Sequence, residues 1–320
     1  MSGMTIGIDV GGTKIQSVAV RSKAVVSDHR LPTPQTGAKD VMAALVEAAS
    51  KAFADAGGEI AEVAGVGIGL PGVIDTDAGT VSGSPNLPGF QAAEPVALAH
   101  TVSEALGGIP VKLENDVRVA ILGEWKRGAG RGFRNLLGVW VGTGVGGGLV
   151  LNGKLYQGEG AAGEIGHIIV KPGGRVCSDG RKGHLEAYAG RGQIEAEARR
   201  RVKQGHKTHL FDIMKKKGRT RVSSGVIAEA LERNDKMAHE LIDDAVWALG
   251  VGLASVQNLL AFEAIVIGGG LGDRLGAPFV ERIERHMQPL LFVPDTPPKM
   301  LTTEFGDLSG AVGSAVLAGG

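Results

Sequence analysis

Two glycine-rich segments, one in each half of the chain, constrain the fold most strongly. The first is TIGIDVGGTKIQSVAV at residues 5–20, and the second is LLGVWVGTGVGGGLVLNGKLY at residues 136–156. In both segments, apolar β-type residues flank a glycine-rich centre, which is typical of two antiparallel strands joined by a tight tip. A Walker A loop would open a helix after its glycines, whereas β-branched residues continue here. The sequence therefore predicts one β-hairpin in each half of the protein.

The tips of these hairpins are candidate phosphate sites, because closely spaced backbone N–H groups form concave anion sites. Asp9 ends the first strand, where its carboxylate could hold Mg²⁺ or a bridging water beside a phosphate. A plain hairpin turn at Gly11-Gly12, with Asp9 as a turn acid, explains the same residues. Thr143 offers a hydroxyl at the second tip. One hairpin in each half suggests duplicated domains that hold a nucleotide between them.

A dinucleotide-binding fold is excluded by the context of the glycines. Gly142, Gly144 and Gly147 match the G-x-G-x-x-G pattern, and so does the segment GIGLPG at residues 67–72. Neither match opens a helix in a strand-helix-strand unit, which this fingerprint requires.

The rest of the chain alternates between strand and helix patterns, which predicts an α/β architecture. Helical spacing runs through residues 38–56 and stops at Gly57-Gly58, and a second helix is predicted at 92–106. A long helical pattern covers about 236–262, and a helix of small residues closes the chain.

Composition limits the possible partners. The 320 residues carry 34 basic and 34 acidic side chains, so the net charge is zero and no global field attracts nucleic acid or an anionic membrane. A single cysteine excludes internal disulfides, and neither a signal peptide nor a membrane-spanning apolar run is present. We expect a cytoplasmic protein that binds a small molecule.

The segment LENDVRVA places Asn115 and Asp116 where a strand gives way to a helix. Ligands of α/β sheets bind at this edge, and phosphoryl transfer to a hydroxyl needs a carboxylate that accepts its proton. Asp116 is the best candidate. An N-cap is the alternative role of Asp116, because aspartate commonly caps a helix.

Six motifs in order carry a resemblance to a known family: GIDVGGTK, GLPG, PNLPGF, END, GTGVGGG and GEIGH. Together they resemble the ROK family of bacterial sugar kinases over nearly the whole chain. The resemblance implies an actin-like, ribonuclease-H-like fold of two α/β domains around a cleft that binds ATP and a sugar. We expect the first domain to comprise residues 1–117 and 305–320, and the second to comprise residues 118–304.

The resemblance also assigns roles to individual residues. Asp116 matches the catalytic base, and it also contacts the sugar. The other sugar-binding positions are Asn86, Asn115, Glu164, His167 and Glu186. The nucleotide-side positions that match are Gly11, Gly12, Thr13, Lys14, Thr143, Gly144, Gly268, Gly269 and Gly270. Asp9, inferred above from its place at the strand end, completes this set as the Mg²⁺ residue.

The family's structural zinc site is altered in this chain. Relatives bind Zn²⁺ through one histidine and three cysteines, and the matching positions here are His167, Cys177, Asp179 and His184. Carboxylate and imidazole are both ordinary Zn²⁺ ligands, so a tetrahedral structural site is chemically possible. With fewer thiolates, the site should bind Zn²⁺ more weakly or change its preference among metals. A metal-free loop held by hydrogen bonds, with His167 serving the sugar alone, is the alternative.

Residues 199–222 form the one strongly basic stretch. A solvated helix end and loop is the simplest interpretation. A sharper hypothesis is that this stretch recruits polyphosphate as an alternative phosphoryl donor.

The resemblance predicts a hexose kinase that uses ATP and Mg²⁺, with glucose phosphorylated on C6 as the first candidate reaction. Mannose, fructose and N-acetylhexosamines remain alternative substrates, because epimer choice depends on fine positioning. A non-catalytic sugar sensor is the alternative from another class. The first hairpin begins near residue 4, which leaves no room before it for a DNA-binding helix-turn-helix, and Asp116 is retained. Family members often form homo-oligomers, and we expect a dimer or a tetramer.

Overall fold

The computed structural model describes residues 3–84 and 87–319, so the predicted sugar ligand Asn86 lies outside the described residues. The chain divides into two compact units. Unit 1 comprises Met1–Gly132, Gln157–Ala161 and Asp307–Gly320, and unit 2 comprises Phe133–Tyr156 and Ala162–Gly306.

Unit 1 is built on a five-stranded sheet in the order β3-β2-β1-β4-β7. Strands β1, β2 and β3 form an antiparallel meander, and β1, β4 and β7 run parallel. A separate antiparallel pair, β5-β6, lies outside this sheet. The strands are β1 (Met4–Val10), β2 (Lys14–Arg21), β3 (Ala24–Pro32), β4 (Val63–Leu70), β5 (Val73–Asp75), β6 (Thr80–Ser82) and β7 (Val111–Asn115). The helices are α1 (Ala38–Asp55), α2 (Leu98–Ala105), α3 (Asp116–Arg127) and α10 (Ser309–Gly319).

Small residues let α10 lie directly on the backbone of this sheet. A Cβ at Gly7 would come within 1.9 Å of the carbonyl oxygen of Ala311, and one at Gly67 would come as close to that of Ser314. Neither glycine tolerates a side chain, which explains why β1 and β4 carry glycine among fully buried Ile and Val residues. The C-terminal helix therefore packs against the first unit, as its small-residue pattern predicted.

Unit 2 repeats the same sheet pattern, with strands in the order β10-β9-β8-β11-β12. Strands β8, β9 and β10 form the antiparallel meander, and β8, β11 and β12 run parallel. The strands are β8 (Leu136–Val141), β9 (Val145–Leu151), β10 (Lys154–Tyr156), β11 (Ala264–Gly268) and β12 (Lys299–Thr302). The helices are α4 (Glu186–Ala189), α5 (Arg191–Lys203), α6 (Leu210–Lys216), α7 (Ser224–Glu232), α8 (Lys236–Leu260) and α9 (Gly269–Met287).

The two predicted hairpins, β1-β2 and β8-β9, occupy equivalent places in the two sheets, and the predicted α/β class is confirmed. The predicted helix at 92–106 is wrong in extent, because only Leu98–Ala105 is helical and Val96 instead forms an isolated bridge with Val81. Helix α3, which the predicted boundary at residue 117 splits, lies in unit 1, where it packs on α10.

No helix within the described parts of the chain is long and apolar enough to cross a membrane.

Candidate functional site

The junction between β7 and α3 in unit 1 carries the predicted base. Asn115 caps the helix, because its Oδ1 accepts from the N–H groups of Val117 at 3.0 Å and Arg118 at 3.2 Å. Asp116 occupies the first helical position, and its Oδ1 accepts from the N–H of Val117 at 2.9 Å. The alternative role of Asp116 as the N-cap is therefore wrong, since Asn115 has that role.

A buried ion pair that the sequence reasoning missed holds this junction in place. Glu114 Oε1 accepts from Arg118 Nε and from the N–H of Asn115, at 2.7 and 2.8 Å, and both charged side chains are almost fully buried. Arg118 also donates to the carbonyl of Gly160, and Gln157 donates to Glu114 Oε2. The spacing of four residues between Glu114 and Arg118 is the sequence signal that could have revealed the pair. The helix cap Asn115 and the predicted base Asp116 are thus attached to a buried, hydrogen-bonded support.

Asp9 lies at the end of β1, and its carboxylate packs against Gly310 in the first turn of α10. A Cβ at Gly310 would lie 2.6 Å from Asp9 Cγ, so only glycine leaves room for the carboxylate. Burial and the negative charges of Asp116 and Asp307 together raise the pKa of Asp9 to about 7, against the opposing effect of Lys14. Strongly shifted pKa values cluster at functional sites, so Asp9 is a functional-site candidate.

The first glycine tip is closed by backbone hydrogen bonds. The N–H of Gly11 donates to the carbonyl of Lys14 at 2.9 Å, and Thr33 Oγ1 donates to the carbonyl of Gly11 at 2.6 Å. Gln35 Nε2 donates to the carbonyl of Gly12 at 3.1 Å. With the carbonyls of Gly11 and Gly12 bound in this way, the tip through Thr13 is held in one conformation.

Lys14 begins β2, and its Nζ lies 3.2 Å from Asp307 Oδ2. Asp307 is also paired with Arg30 at 3.4 Å, and its side chain is largely exposed. An exposed ion pair of this kind is weak, so a phosphate could replace Asp307 as the partner of Lys14.

The second glycine tip, in unit 2, is joined to Glu186. Glu186 Oε2 accepts from the N–H of Val145 at 2.9 Å, and a Cβ at Gly144 would lie 2.3 Å from this oxygen. Glu186 Oε1 accepts from Ser178 Oγ at 2.6 Å and from Cys177 Sγ at 3.5 Å. One carboxylate therefore connects the predicted phosphate tip with the predicted zinc loop.

Arg191, which the sequence reasoning missed, lies at the same tip. Its Nη2 donates to Thr143 Oγ1 at 2.7 Å, and its Nη1 donates to Ser224 Oγ at 3.3 Å. The arginine between two glycines in GRG, at residues 190–192, was the available signal.

Gly268, Gly269 and Gly270 form the turn from β11 into α9. Gly269 has φ of +81°, and a Cβ there would lie 2.8 Å from the nitrogen of Val141. A Cβ at Gly270 would lie 3.6 Å from Arg191 Nη1. Close packing at the end of β8 therefore requires glycine at 269, and the same turn runs beside Thr143 and Arg191.

The loop between β10 and α4 brings together the four predicted metal ligands. Isolated bridges between Ile169 and His184 and between Val176 and Lys182 fold the loop back on itself. Each predicted ligand offers one atom, and all four atoms lie within 4.8 Å of one another. These residues are His167, Cys177, Asp179 and His184.

The donor geometry fits a tetrahedral metal. His167 Nδ1 lies 3.3 Å from His184 Nδ1 and 3.3 Å from Asp179 Oδ2, and the remaining nitrogen-oxygen distance is 3.4 Å. Bonds of about 2.0–2.1 Å around a tetrahedral ion separate their donor atoms by about 3.3–3.4 Å. Burial raises the pKa of the Cys177 thiol, and a hydrogen bond from the N–H of Arg181 lowers the pKa of Asp179. The residues present could hold Zn²⁺.

The two nitrogens of His167 face different partners. Its Nδ1 faces the ligand cluster, whereas its Nε2 lies 4.0 Å from Glu164 Oε2. Glu164 directly precedes the short 3₁₀ turn at Ile165–His167, and its side chain is exposed. Unit 2 thus places Glu164, His167 and Glu186 around one loop.

Known proteins resemble this chain over its whole length. The ROK family model matches residues 5–320. A glucokinase of Streptomyces coelicolor is 33% identical over 324 residues, covering 99% of this chain and 98% of the relative. The N-acetylgalactosamine kinase AgaK of a Shewanella species is 33% identical over 332 residues, covering 99% and 97%.

Solved structures agree with this likeness. The crystal structure of a ROK family glucokinase from Streptomyces griseus, in complex with glucose and AMPPNP, matches with a TM-score of 0.81 at 31% identity and covers 99% of both chains. The predicted fold class, that of the actin-like sugar kinases, is confirmed. With a family model matched from residue 5 to the end of the chain, this protein belongs to the ROK family.

Proposed function

We propose that this ROK protein is an ATP-dependent hexose kinase and that it transfers the terminal phosphate of ATP to the C6 hydroxyl of glucose. The observation that carries the proposal is the junction at Asp116. Asn115 caps α3, and the buried Glu114–Arg118 pair fixes the junction, so the carboxylate of Asp116 stands at the first turn of the helix. The full-length likeness to glucokinases supports glucose as the substrate.

In this mechanism, Asp116 accepts the proton of the sugar hydroxyl as the hydroxyl oxygen attacks the terminal phosphorus. Phosphoryl transfer asks little covalent chemistry of the protein, so positioning and charge neutralisation provide most of the catalysis. Asp116 lies near the half-buried Asp9, and Asp9 and the Gly11–Lys14 tip belong to the same unit. We assign Mg²⁺ and part of the phosphate chain to that tip and to Asp9, and other phosphate contacts to Thr143 and Gly144. When bound, Mg²⁺ neutralises phosphate charge.

We propose that the sugar is contacted by Asn115, Asp116, Glu164, His167 and Glu186. Carboxylates, imidazoles and amides can match the donors and acceptors of a hydroxyl ring, and a polar group left unpaired would penalise the wrong epimer. Asn86 remains a predicted contact.

We propose that Zn²⁺ is bound by His167, Cys177, Asp179 and His184 as a structural ion. Such an ion would fix the loop that carries the sugar contacts, while four protein ligands leave no open position for chemistry. The family's usual site has more thiolates, so we expect weaker binding here.

A second substrate class has a specific observation in its favour, since the N-acetylgalactosamine kinase is as similar to this chain as the glucokinase. Polyphosphate as donor, a cytoplasmic location and a homo-oligomeric state remain predictions.

The decisive experiment measures ADP release from Mg-ATP with glucose, mannose, fructose, N-acetylglucosamine, N-acetylgalactosamine and N-acetylmannosamine. We expect selective turnover of glucose. Asp116→Ala should lower kcat by at least about 10³-fold while glucose binding persists in calorimetry. Asp77→Ala, which removes an exposed carboxylate of the same unit, is the matched control and should retain full activity.

Sugar binding without ADP release in the wild-type protein would support a sensor. Turnover of an N-acetylhexosamine in preference to glucose would show that glucose is the wrong substrate. Turnover in Asp116→Ala comparable to that of the wild-type protein would show that Asp116 is not the base.

A further inference from the structure

The guanidinium of Arg191 has two hydroxyl groups as its hydrogen-bond partners beside the second glycine tip. The guanidinium donates to Thr143 and Ser224, and the turn at Gly270 passes beside it. Within the described residues, no carboxylate oxygen lies within 4.0 Å of this guanidinium. A half-buried arginine without an acidic partner is uncommon, because partial burial disfavours an uncompensated charge.

The neighbouring arginines are arranged differently. Arg199 pairs with Glu195 at 2.7 Å, Arg200 pairs with Glu197 at 2.7 Å, and Arg221 pairs with Glu195 at 3.0 Å. Burial lowers the pKa of Arg191, the positive charge of Arg221 lowers it further, and the more distant negative charge of Glu195 raises it. Each of these neighbours has a carboxylate in direct contact, whereas Arg191 has none among the described residues.

Two backbone N–H groups at Arg191 and Gly192 are hydrogen-bonded to the tip. The N–H of Arg191 donates to the carbonyl of Gly142 at 3.0 Å, and the N–H of Gly192 donates to the carbonyl of Thr143 at 2.9 Å. These bonds attach the start of α5 to the glycine tip and fix the guanidinium there. The side chain of Arg191 is therefore the charged donor that this part of unit 2 offers to a ligand.

An oxyanion would be a better partner than the two hydroxyls. Hydrogen bonds between a guanidinium and a phosphate oxygen are charge-assisted and can be bidentate, whereas the bonds to Thr143 and Ser224 have neutral acceptors. A phosphate arriving at the tip would also supply the missing counter-charge.

We propose that Arg191 binds the phosphate chain of the nucleotide at the second glycine tip, exchanging its bonds to Thr143 and Ser224 for phosphate oxygens. The identity of the ligand as ATP rests on the proposed kinase function, but the anion site itself rests on the geometry of Arg191. Arg191 then determines affinity for the phosphate chain, while the turn at 268–270 lies on the side assigned to adenosine.

The test compares wild-type protein with Arg191→Gln, Arg191→Lys and Arg200→Gln, using calorimetry with ATP, inorganic tripolyphosphate and adenosine. Arg191→Gln should weaken ATP and tripolyphosphate binding by about 10- to 100-fold and leave adenosine unchanged. Arg191→Lys keeps the charge but loses the planar fork, so a loss of about threefold or more is expected. Arg200→Gln removes a charge from the same helix and should bind like the wild-type protein.

Unchanged ATP and tripolyphosphate affinities in Arg191→Gln, or an equal loss for adenosine, would overturn the inference. If Arg191→Gln does not fold, wild-type affinities in Arg191→Lys would overturn it. The protein could bind tripolyphosphate through Arg191 and yet phosphorylate no sugar. That result would contradict the kinase proposal and leave this inference in place. Normal sugar phosphorylation, together with ATP and tripolyphosphate binding that does not depend on Arg191, would overturn this inference and leave the kinase proposal in place.

Discussion

Glu186 Oε2 accepts a hydrogen bond from the backbone N–H of Val145 at 2.9 Å, and this contact fixes a predicted sugar ligand to the glycine tip that precedes β9. The carboxylate fills the space where a side chain at Gly144 would lie. A predicted sugar contact and a predicted phosphate tip are therefore connected by a hydrogen bond within unit 2.

Gly144→Ala should disrupt this contact. The new Cβ would lie 2.3 Å from Glu186 Oε2, so the carboxylate must move or the tip must distort. We expect kcat/KM for the sugar to fall by about 10²-fold or more, with a loss of about 1–3 kcal/mol in the free energy of unfolding. Steady-state kinetics and urea denaturation measure the two effects.

Gly142→Ala is the matched control, because the nearest heavy atom to its new Cβ is 4.0 Å away. Gly142→Ala should lower the free energy of unfolding by less than about 0.5 kcal/mol. Equal losses in both variants would mean that the tip requires glycine for its backbone conformation and not for the contact with Glu186.

Asp9→Asn should raise stability and abolish activity. Burial raises the pKa of Asp9 to about 7 from 3.8, with Asp116 and Asp307 adding to burial and Lys14 opposing it. Between these two values the folded state holds a proton that the unfolded state has lost, so the contribution of Asp9 to stability falls as pH rises from about 4 to 7. The neutral amide removes this penalty, so at pH 8 Asp9→Asn should be more stable by up to about 4 kcal/mol.

The activity of the wild-type protein should change with pH in the direction opposite to its stability. If ionised Asp9 holds the metal, wild-type kcat/KM for ATP should decrease as pH falls below about 7, and Asp9→Asn should lose at least about 10²-fold at every pH. Asp28→Asn, at an exposed position on β3, controls for the lost charge. Asp9→Asn with lower stability than wild type at pH 8 would contradict the destabilising effect assigned to the ionised carboxylate.

Zinc should bind with a stoichiometry of about one ion per chain when the protein is prepared without chelator, because four donors converge in the loop. His184→Ala should remove most of the metal in elemental analysis and lower Tm by several degrees, since bound metal stabilises only the folded state. His206→Ala, an exposed histidine outside the cluster, should change neither quantity.

Cobalt substitution gives an independent readout of this site. Co²⁺ should produce a tetrahedral visible spectrum with a thiolate charge-transfer band, and Cys177→Ser should remove that band. A metal-free protein whose Tm is indifferent to His184→Ala would show that hydrogen bonds alone hold the loop.

Glu114→Ala should destabilise unit 1 by about 3–5 kcal/mol, because it leaves the Arg118 cation buried without its acidic partner. It also removes the acceptor for the N–H of Asn115, so kcat should fall even when the variant is fully folded. Lys51→Ala breaks the exposed Lys51–Glu47 pair, which has the same spacing on α1, and should cost less than about 0.5 kcal/mol. Equal urea midpoints for the two variants would contradict the structural role of the buried pair.

The sequence alone determined the two hairpins, the α/β class and the junction at Asn115 and Asp116. Each of these features is encoded in a short window: alternation of apolar residues defines a strand, and paired glycines define a tip. The order of the motifs then identified the family, which the full-length match confirmed.

Only the tertiary structure decided which polar groups meet. It showed that Asn115, and not Asp116, caps α3, that Glu186 is bonded to Val145, and that Arg191 reaches Thr143 from 48 residues away. These contacts depend on how strands and loops distant in sequence are brought together, and on the space that each glycine leaves for a neighbour. Local periodicity specifies an element, but long-range packing specifies the partners of its side chains.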